Sequence, residues 1–385
     1  MEAARFISRK LSFQGKLAAV AIAVSFFVMI VSVAVSSGFR AAIRDGVAAM
    51  VGDIRIQPQD RSLGEMASMP RKLPSETTIL SVPGIKGIRP VVLRSGVVKD
   101  GDRIHGVLVK GVERADSSLT VSIPERLSRI MGLGVGDLLT TYFIGERVRV
   151  RKFRITAIHR DLVEMDDNLL VYANLEDLQR LNGWKADEVS CLEVEVADGY
   201  RNRAVLDNLA SQVGTCLLNS GSEEEEELYV TASPRSYPQI FDWLELLDFN
   251  VPTILILMTV VAGFNMISGL LILLLRNIST IGTLKTMGMD NRSVGRVFVQ
   301  VGAGVVLKGM LIGNALALLF CLIQGTTHLI PLDPANYFVS WVPVRVNLPW
   351  ILAADVLSFL AILAMLWIPA RYVSKIDPAV TVKAE

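Results

Sequence analysis

The sequence predicts a membrane protein with four transmembrane α-helices and a large extracytoplasmic α+β domain inserted between helices 1 and 2. Three observations lead there. Of the 385 residues 51% are hydrophobic and only 20% charged, a balance rare in soluble chains. Four segments reach the roughly 20 apolar residues that a hydrocarbon layer about 30 Å thick requires at 1.5 Å per residue. Lysine and arginine gather in the short flanks of those segments, as topology demands of cytoplasmic loops.

Residues 1–16 form a basic tail carrying Arg5, Arg9, Lys10 and Lys16. The first span, 17–38, has no charge between Lys16 and Arg40, and its centre AVAIAVSFFVMIVSVAV is apolar on every face. That stretch exceeds the core of a cleaved signal peptide, about 7–15 residues. The second span, 251–275, lies uncharged between Asp248 and Arg276. The third, 297–323, is interrupted only by Lys308, and the fourth, 348–370, only by Asp355. The 276–296 loop holds Arg276, Lys285, Arg292 and Arg296, and the 371–385 tail holds Arg371, Lys375 and Lys383, whereas the 324–347 loop has Arg345 alone. Both termini and the 276–296 loop are therefore expected in the cytoplasm, with 39–250 and 324–347 outside. Arg40 and Arg44 do not reverse this, because they open a long translocated domain.

Within 39–250, Phe39, Ile43, Val47 and Met50 recur at helical spacing and predict that the first span continues as a stalk. DIRIQP, 53–58, alternates like a strand that Pro58 stops. GVVKDGDRIHGVLVKGV places Asp100-Gly101 between two alternating runs, a hairpin signal. RVRVRKFRITAIHR alternates basic with apolar residues, so one face is buried and the other wet. NLEDLQRLNG, 174–183, predicts a short helix with an Asn cap and a Gly stop. The acidic run Glu223–Glu227 reads as a solvated loop. In YPQIFDWLELLDF, 237–249, Ile240, Trp243, Leu244 and Leu247 share one helical face opposite Asp242 and Glu245, which predicts a helix on the membrane surface or against the stalk.

Chemistry-bearing motifs do not appear. No GxxxxGK[ST], GxSxG or HExxH is present, and His105, His159 and His328 stand far apart. Cys191, Cys216 and Cys321 lack zinc-site or CxxC spacing and are too few for a disulfide scaffold. Cys191 and Cys216 lie where thiols can oxidise, which leaves a bridge and two buried free thiols both open. The 39 Lys and Arg nearly cancel the 38 Asp and Glu, which argues against a nucleic-acid partner. An enzyme is not expected, nor a directly bound cofactor; work done by this chain would draw its energy elsewhere.

Two features inside the spans suggest helix contacts. Gly309, Gly313, Ala317 and Cys321 are four apart and make one strip of small side chains, the kind that lets helices approach closely in lipid. Lys308 and Asp355 lie about 18 and 24 Å above the cytoplasmic flanks of their helices. Charges at such depth usually find partners, so Lys308 and Asp355 either form an ion pair or stand alone, Lys308 snorkelling toward the cytoplasm and Asp355 toward the outside.

FNMISGLLILLLRNISTIGTLKTMGMDNRSVGRVFVQ, 264–300, and IPARYVSKIDPAV, 368–380, resemble the second and third helices, the coupling segment and the closing motif of ABC transporter permeases of the MacB and FtsX type. ERLSRIMGLGVGDLLTTYF, 125–143, and FRITAIHRDLVEMDDNLLVYANLEDLQRL, 153–181, resemble the periplasmic domain of the lipoprotein-releasing permeases LolC and LolE. The resemblance covers nearly the whole chain. It implies a multi-pass protein of the bacterial inner membrane that couples a separate cytoplasmic ATPase dimer, which holds ATP and Mg, to the extraction of lipoproteins. It also implies a second permease chain, copy or paralogue, surrounding membrane lipids and a periplasmic lipoprotein carrier. The coupling segment would comprise Ile281, Leu284, Lys285, Met287 and Gly288, with Ile281, Leu284 and Met287 on one apolar face that can enter a groove. Thr280 stands where the coupling motif usually has a carboxylate. A MacB-like efflux permease and an FtsX-like regulator of a cell-wall hydrolase are the alternatives.

Overall fold

The structure, a computed structural model, describes residues 16–59, 67–101, 103–113, 118–145, 148–160, 169–276, 283 and 285–373. The chain divides into two units, one comprising residues 1–40, 244–331 and 341–385, the other 41–243 and 332–340. Helices of eight or more residues are numbered.

Helix α1 runs unbroken from Lys16 to Val51, and Phe39, Ile43, Val47 and Met50 are buried along one side of its C-terminal half. Gly52, at φ +75°, ends it, in the left-handed conformation that glycine adopts without a Cβ penalty.

In the second unit, sequence alternation becomes a nine-stranded sheet with the order β11-β1-β10-β3-β4-β8-β5-β7-β6, where β6 also pairs with β3. Its strands are β1 (Ile54–Pro58), β3 (Ile85–Asp100), β4 (Arg103–Val112), β5 (Thr120–Pro124), β6 (Leu138–Phe143), β7 (Arg149–His159), β8 (Leu170–Asn174), β10 (Cys191–Val196) and β11 (Leu228–Ala232). A two-stranded ladder of β2 (Met69–Pro70) with β9 (Glu188–Val189) stands beside it. The long β3 serves two assemblies. Its first half pairs with β10 in a four-stranded sheet. Its second half pairs with β4 and, at Val97 and Val98, with β6, which closes β3-β4-β8-β5-β7-β6 into a six-stranded barrel. Gly96 permits that closure, since a Cβ there would sit 2.8 Å from Thr141 Cγ2. Val98, Val107, Val109, Val121, Ile123, Phe143, Phe153 and Ile155 are among the buried core residues of these strands, with Phe143 and Phe153 edge to face at 6.3 Å.

The hairpin turns at Asp100 and Gly101 as expected. Helix α2 (Leu175–Asn182) begins at Asn174, whose side chain accepts from the Glu176 N–H, and ends at the left-handed Gly183. Helix α3 (Arg203–Leu218) buries Leu206, Leu209, Val213 and Leu217 in the same core. The acidic run departs from expectation. Glu223–Glu226 is a helical turn, and Glu225 is buried with Oε1 accepting from Ser75 N (3.0 Å) and Oγ (2.9 Å).

The first unit holds the apolar helices, which number four long enough to cross a membrane among the described residues. After the N-terminal half of α1 come α4 (Pro238–Arg276), α5 (Asn291–Thr327) and α6 (Leu348–Val373). Residues 237–249 do not form a separate surface helix: from Pro238 onward they are the first turns of α4, which continues through Pro252. Ile22, Phe26, Met29, Met266, Leu270, Phe298, Val301, Ile362 and Leu366 form the interior of this unit. Outward, Ile256, Phe264, Leu311, Leu319, Trp350 and Leu357 are exposed, the pattern of helices that meet lipid rather than water.

Candidate functional site

Among the described residues no group of three or more His, Cys, Asp and Glu could hold a metal ion; the candidate sites are places where helices meet. The small residues of α5 face α1. A Cβ on Gly309 would lie 2.7 Å from Ile22 Cγ2 and 3.1 Å from the Ala19 carbonyl oxygen. One on Gly313 would collide with the Ala23 carbonyl oxygen and lie 2.9 Å from Phe26 Cβ and 3.1 Å from Phe27 N. Ala317 and Cys321 are buried further along the strip, Ala317 in a cluster with Ile30 and Val33. The two backbones thus approach as closely as glycine permits. On the outside of this crossing, Val20, Val24, Phe27, Ile312, Leu316 and Phe320 line an almost wholly apolar groove of about 460 Å³.

Of the two readings for Lys308 and Asp355, the ion pair is not the one formed. Asp355 is buried in α6, and its Oδ2 accepts from Asn314 Nδ2 at 2.6 Å. Lys308 lies exposed on α5. Six residues turn a helix by about 600° and advance it by about 9 Å, so Lys308 points some 120° away from Asn314 and lies nearer the start of α5. Thr259 of α4 donates to Ser358 Oγ of α6 at 2.9 Å, and both hydroxyls lie 3.6 Å from Met29 Sδ of α1. Buried polar groups of this bundle therefore pair with one another rather than with the lysine.

Sequence reasoning also missed Gly38. Its missing Cβ would collide with the Pro343 carbonyl oxygen, and Val344 N would be 2.7 Å away. Arg345 N donates to the Ala34 carbonyl at 3.0 Å, so the segment between α5 and α6 straps the C-terminal end of the first span. A glycine inside an otherwise helical apolar run was the available signal.

Of the expected coupling segment, Ile281 and Leu284 fall outside the described residues. Met287 is 80% exposed. Its N–H donates to Thr283 O, and Gly288, at φ +92°, closes the turn with its N–H on Lys285 O. Cys191 and Cys216 are free thiols, the first buried in β10 and the second partly exposed on α3.

Residues 17–212 match the family model described as MacB-like periplasmic core domain, and residues 252–378 match FtsX-like permease C-terminal. The chain is similar to the lipoprotein-releasing system transmembrane protein LolE of Haemophilus influenzae, at 23% identity over 94% of this chain and 92% of that protein. It is similar to LolC of Xylella fastidiosa, also at 23%, over 97% of this chain and 95% of that one. The crystal structure of the periplasmic region of MacB from Actinobacillus actinomycetemcomitans, 14% identical, aligns with a TM-score of 0.31 over 50% of this chain and 95% of that one.

Proposed function

This chain belongs to the family defined by the MacB-like periplasmic core domain and carries the FtsX-like permease C-terminal domain, and from that premise we propose that it is the permease subunit of an ABC transporter that extracts lipoproteins from the inner membrane. The observation that supports this most is the extent of similarity to LolC and LolE, which takes in the outer domain and the spans alike, 94–97% of the chain. In this reading both termini face the cytoplasm, and Ile281, Leu284, Lys285, Met287 and Gly288 dock on a separate ATPase dimer that holds ATP and Mg. A second permease chain completes the complex, and a periplasmic carrier receives the cargo. Baring acyl chains to water costs about 0.8 kcal/mol per CH₂. Three chains therefore represent tens of kcal/mol, which explains both the need for ATP and the value of apolar surfaces along the route.

Purification of the tagged permease from mild detergent, with identification of what accompanies it, tests the proposal. An ATPase and an acylated protein are expected. Recovery of an outer-membrane duct with its adaptor, or of a cell-wall hydrolase, and no acylated protein would overturn lipoprotein release in favour of efflux or hydrolase control.

A further inference from the structure

The C-terminal end of α1 is held in an unusual way. A helix leaves its last carbonyls without intrahelical partners, and such groups are ordinarily met by water, by a glycine turn or by exposed side chains. Here Gly52 N takes the Ala48 carbonyl at 2.8 Å. The next two, Ala49 and Met50, accept from the ammonium of Lys110 at 2.7 and 3.3 Å. Lys110 comes from barrel strand β4 and is buried. Its third hydrogen bond goes to Glu193 Oε2 of β10 at 2.8 Å, while Arg55 of β1 donates to Glu193 Oε1 at 3.3 Å and to the Met50 carbonyl at 3.4 Å. Glu193 lies directly beneath the helix end: a Cβ on Gly52 would be 2.9 Å from both its Cβ and its Cγ.

A second clasp stands beside the first. Arg201 donates to Asp45 Oδ1 on α1 at 2.9 Å and to Asp53 Oδ2 just past it at 3.1 Å, and Asp53 also accepts from Val196 N at 2.9 Å. Burial pushes the Asp53 carboxyl above its ordinary range and the Lys110 ammonium below its own, against the opposing pull of Arg201 on one and Glu193 on the other. The charges are thus kept where they are costly. Buried ion pairs are poor sources of net stability, since apolar packing of the same volume usually does as well. What such a cluster supplies is position, because each member must be met by its partners in one geometry. The strands complete the joint. β1, which follows α1, is antiparallel to β11, which leads into α4, with Ile54 opposite Ala232 and Ser233 N donating to the Asp53 carbonyl at 2.9 Å.

We infer that Lys110 is a positioning residue for transport: it pins the end of the first membrane helix to the barrel strand β4 and, through Glu193, to the sheet strand β10, so that displacement of α1 is transmitted to the outer domain. This rests on the transporter reading above. Each of the three elements offers a different group: main-chain carbonyls from the helix, an ammonium from the barrel, a carboxylate from the sheet. Removing the ammonium cuts the link from the helix end to the barrel strand, while Arg55 and Arg201 still hold that end to the sheet side.

The test uses the permease reconstituted in liposomes with its ATPase and partner chain, carrying Lys110→Met, Lys110→Arg or, as control, Lys86→Met at an exposed lysine of the same domain. Acylated protein released per ATP hydrolysed is measured, together with the ATP-driven change of a fluorophore on the exposed Ile104 of β4. For Lys110→Met, release per ATP should fall by about tenfold while ATPase activity stays within about twofold, a coupling loss of ordinary size. The fluorophore response should vanish, Lys110→Arg should restore most of both, and Lys86→Met should change neither. If Lys110→Met does not fold, Glu193→Gln carries the same expectation in milder form. Unchanged release per ATP and an unchanged fluorophore response in a folded variant would overturn the inference. Should wild type release no acylated protein, the transport reading fails by itself, and the fluorophore response still decides whether Lys110 transmits motion.

Discussion

Gly313→Ala adds one methyl where the structure has no space for it, and Gly304→Ala on the same helix is its matched control. At 313 the new Cβ would collide with the Ala23 carbonyl oxygen and stand 2.9 Å from Phe26 Cβ; at 304 nothing lies within 4 Å. Carbon contacts prefer about 3.5–4.0 Å, and the first obstacle is main chain, so no side-chain rotation relieves it. Helix α1 must withdraw by about 1 Å, which forfeits up to roughly half of the dispersion energy along that contact. Overpacking of this kind costs about 1–3 kcal/mol. Both substitutions gain up to about 1 kcal/mol of helix propensity, so the control should be neutral or slightly stabilised while Gly313→Ala loses about 1–2 kcal/mol. Gly309→Ala should lose a comparable amount, because besides Ile22 Cγ2 at 2.7 Å it meets Ile22 Cβ at 2.9 Å and the Ala19 carbonyl oxygen at 3.1 Å, which move only with the helix. A denaturing-detergent titration of the purified permease reads all three. Equal midpoints for the 313 and 304 variants would refute the close approach of α5 to α1.

Four further outcomes can be checked. Asn314→Leu strands a buried carboxylate and should cost about 1–3 kcal/mol, whereas Asp355→Asn keeps a hydrogen-bonding amide beside Asn314 and should retain most of the stability. The swap Lys308→Asp with Asp355→Lys should be no better than the sum of its single changes, and rescue by the swap would restore the ion pair that the structure rejects. Maleimide added without reductant should label Cys191 and Cys216 after denaturation and spare the buried Cys191 before it; resistance of both after denaturation would mean a disulfide. Leu284→Asp should abolish recovery of the ATPase while leaving membrane insertion intact, since a charge would be buried unpaired at the docking face, and normal recovery would remove the coupling assignment.

The spans were legible because hydropathy over about 20 residues is a bulk property that tertiary contacts scarcely alter. The Asp100-Gly101 turn and the Asn174 and Gly183 caps were legible because their determinants lie within a few residues of the effect. The barrel was not. Its parallel pairs, β4 with β8 and β5 with β7, join segments distant in the chain, and nothing local announces that β3 serves two sheets. At 237–249 a helix on the membrane surface or against the stalk is expected, and only its separation from the second span fails: a change from amphipathic to uniformly apolar composition is no element boundary, since the backbone continues as one helix through it.

Lys308 and Lys110 expose one limit from opposite sides. The case for pairing Lys308 with Asp355 rests on depth, which counting residues supplies, yet contact between helices also needs the angle about each axis, and one sequence fixes that only relative to its own neighbours. Lys110 alternates with the buried Val107 and Val109 of β4, and a period of two therefore assigns it to the wet face of the strand. It is buried nonetheless, because the end of α1 covers that face. Alternation identifies the two sides of a strand and is silent about what lies upon them. A charged residue can stay on a covered face only if the covering element brings polar groups to meet it, and the free carbonyls of a helix end are such groups. The position where pattern and burial disagree is thus also the position where the first membrane helix is joined to the outer domain, which is why Lys110 rather than any residue of the apolar core is the sensitive place to cut that connection.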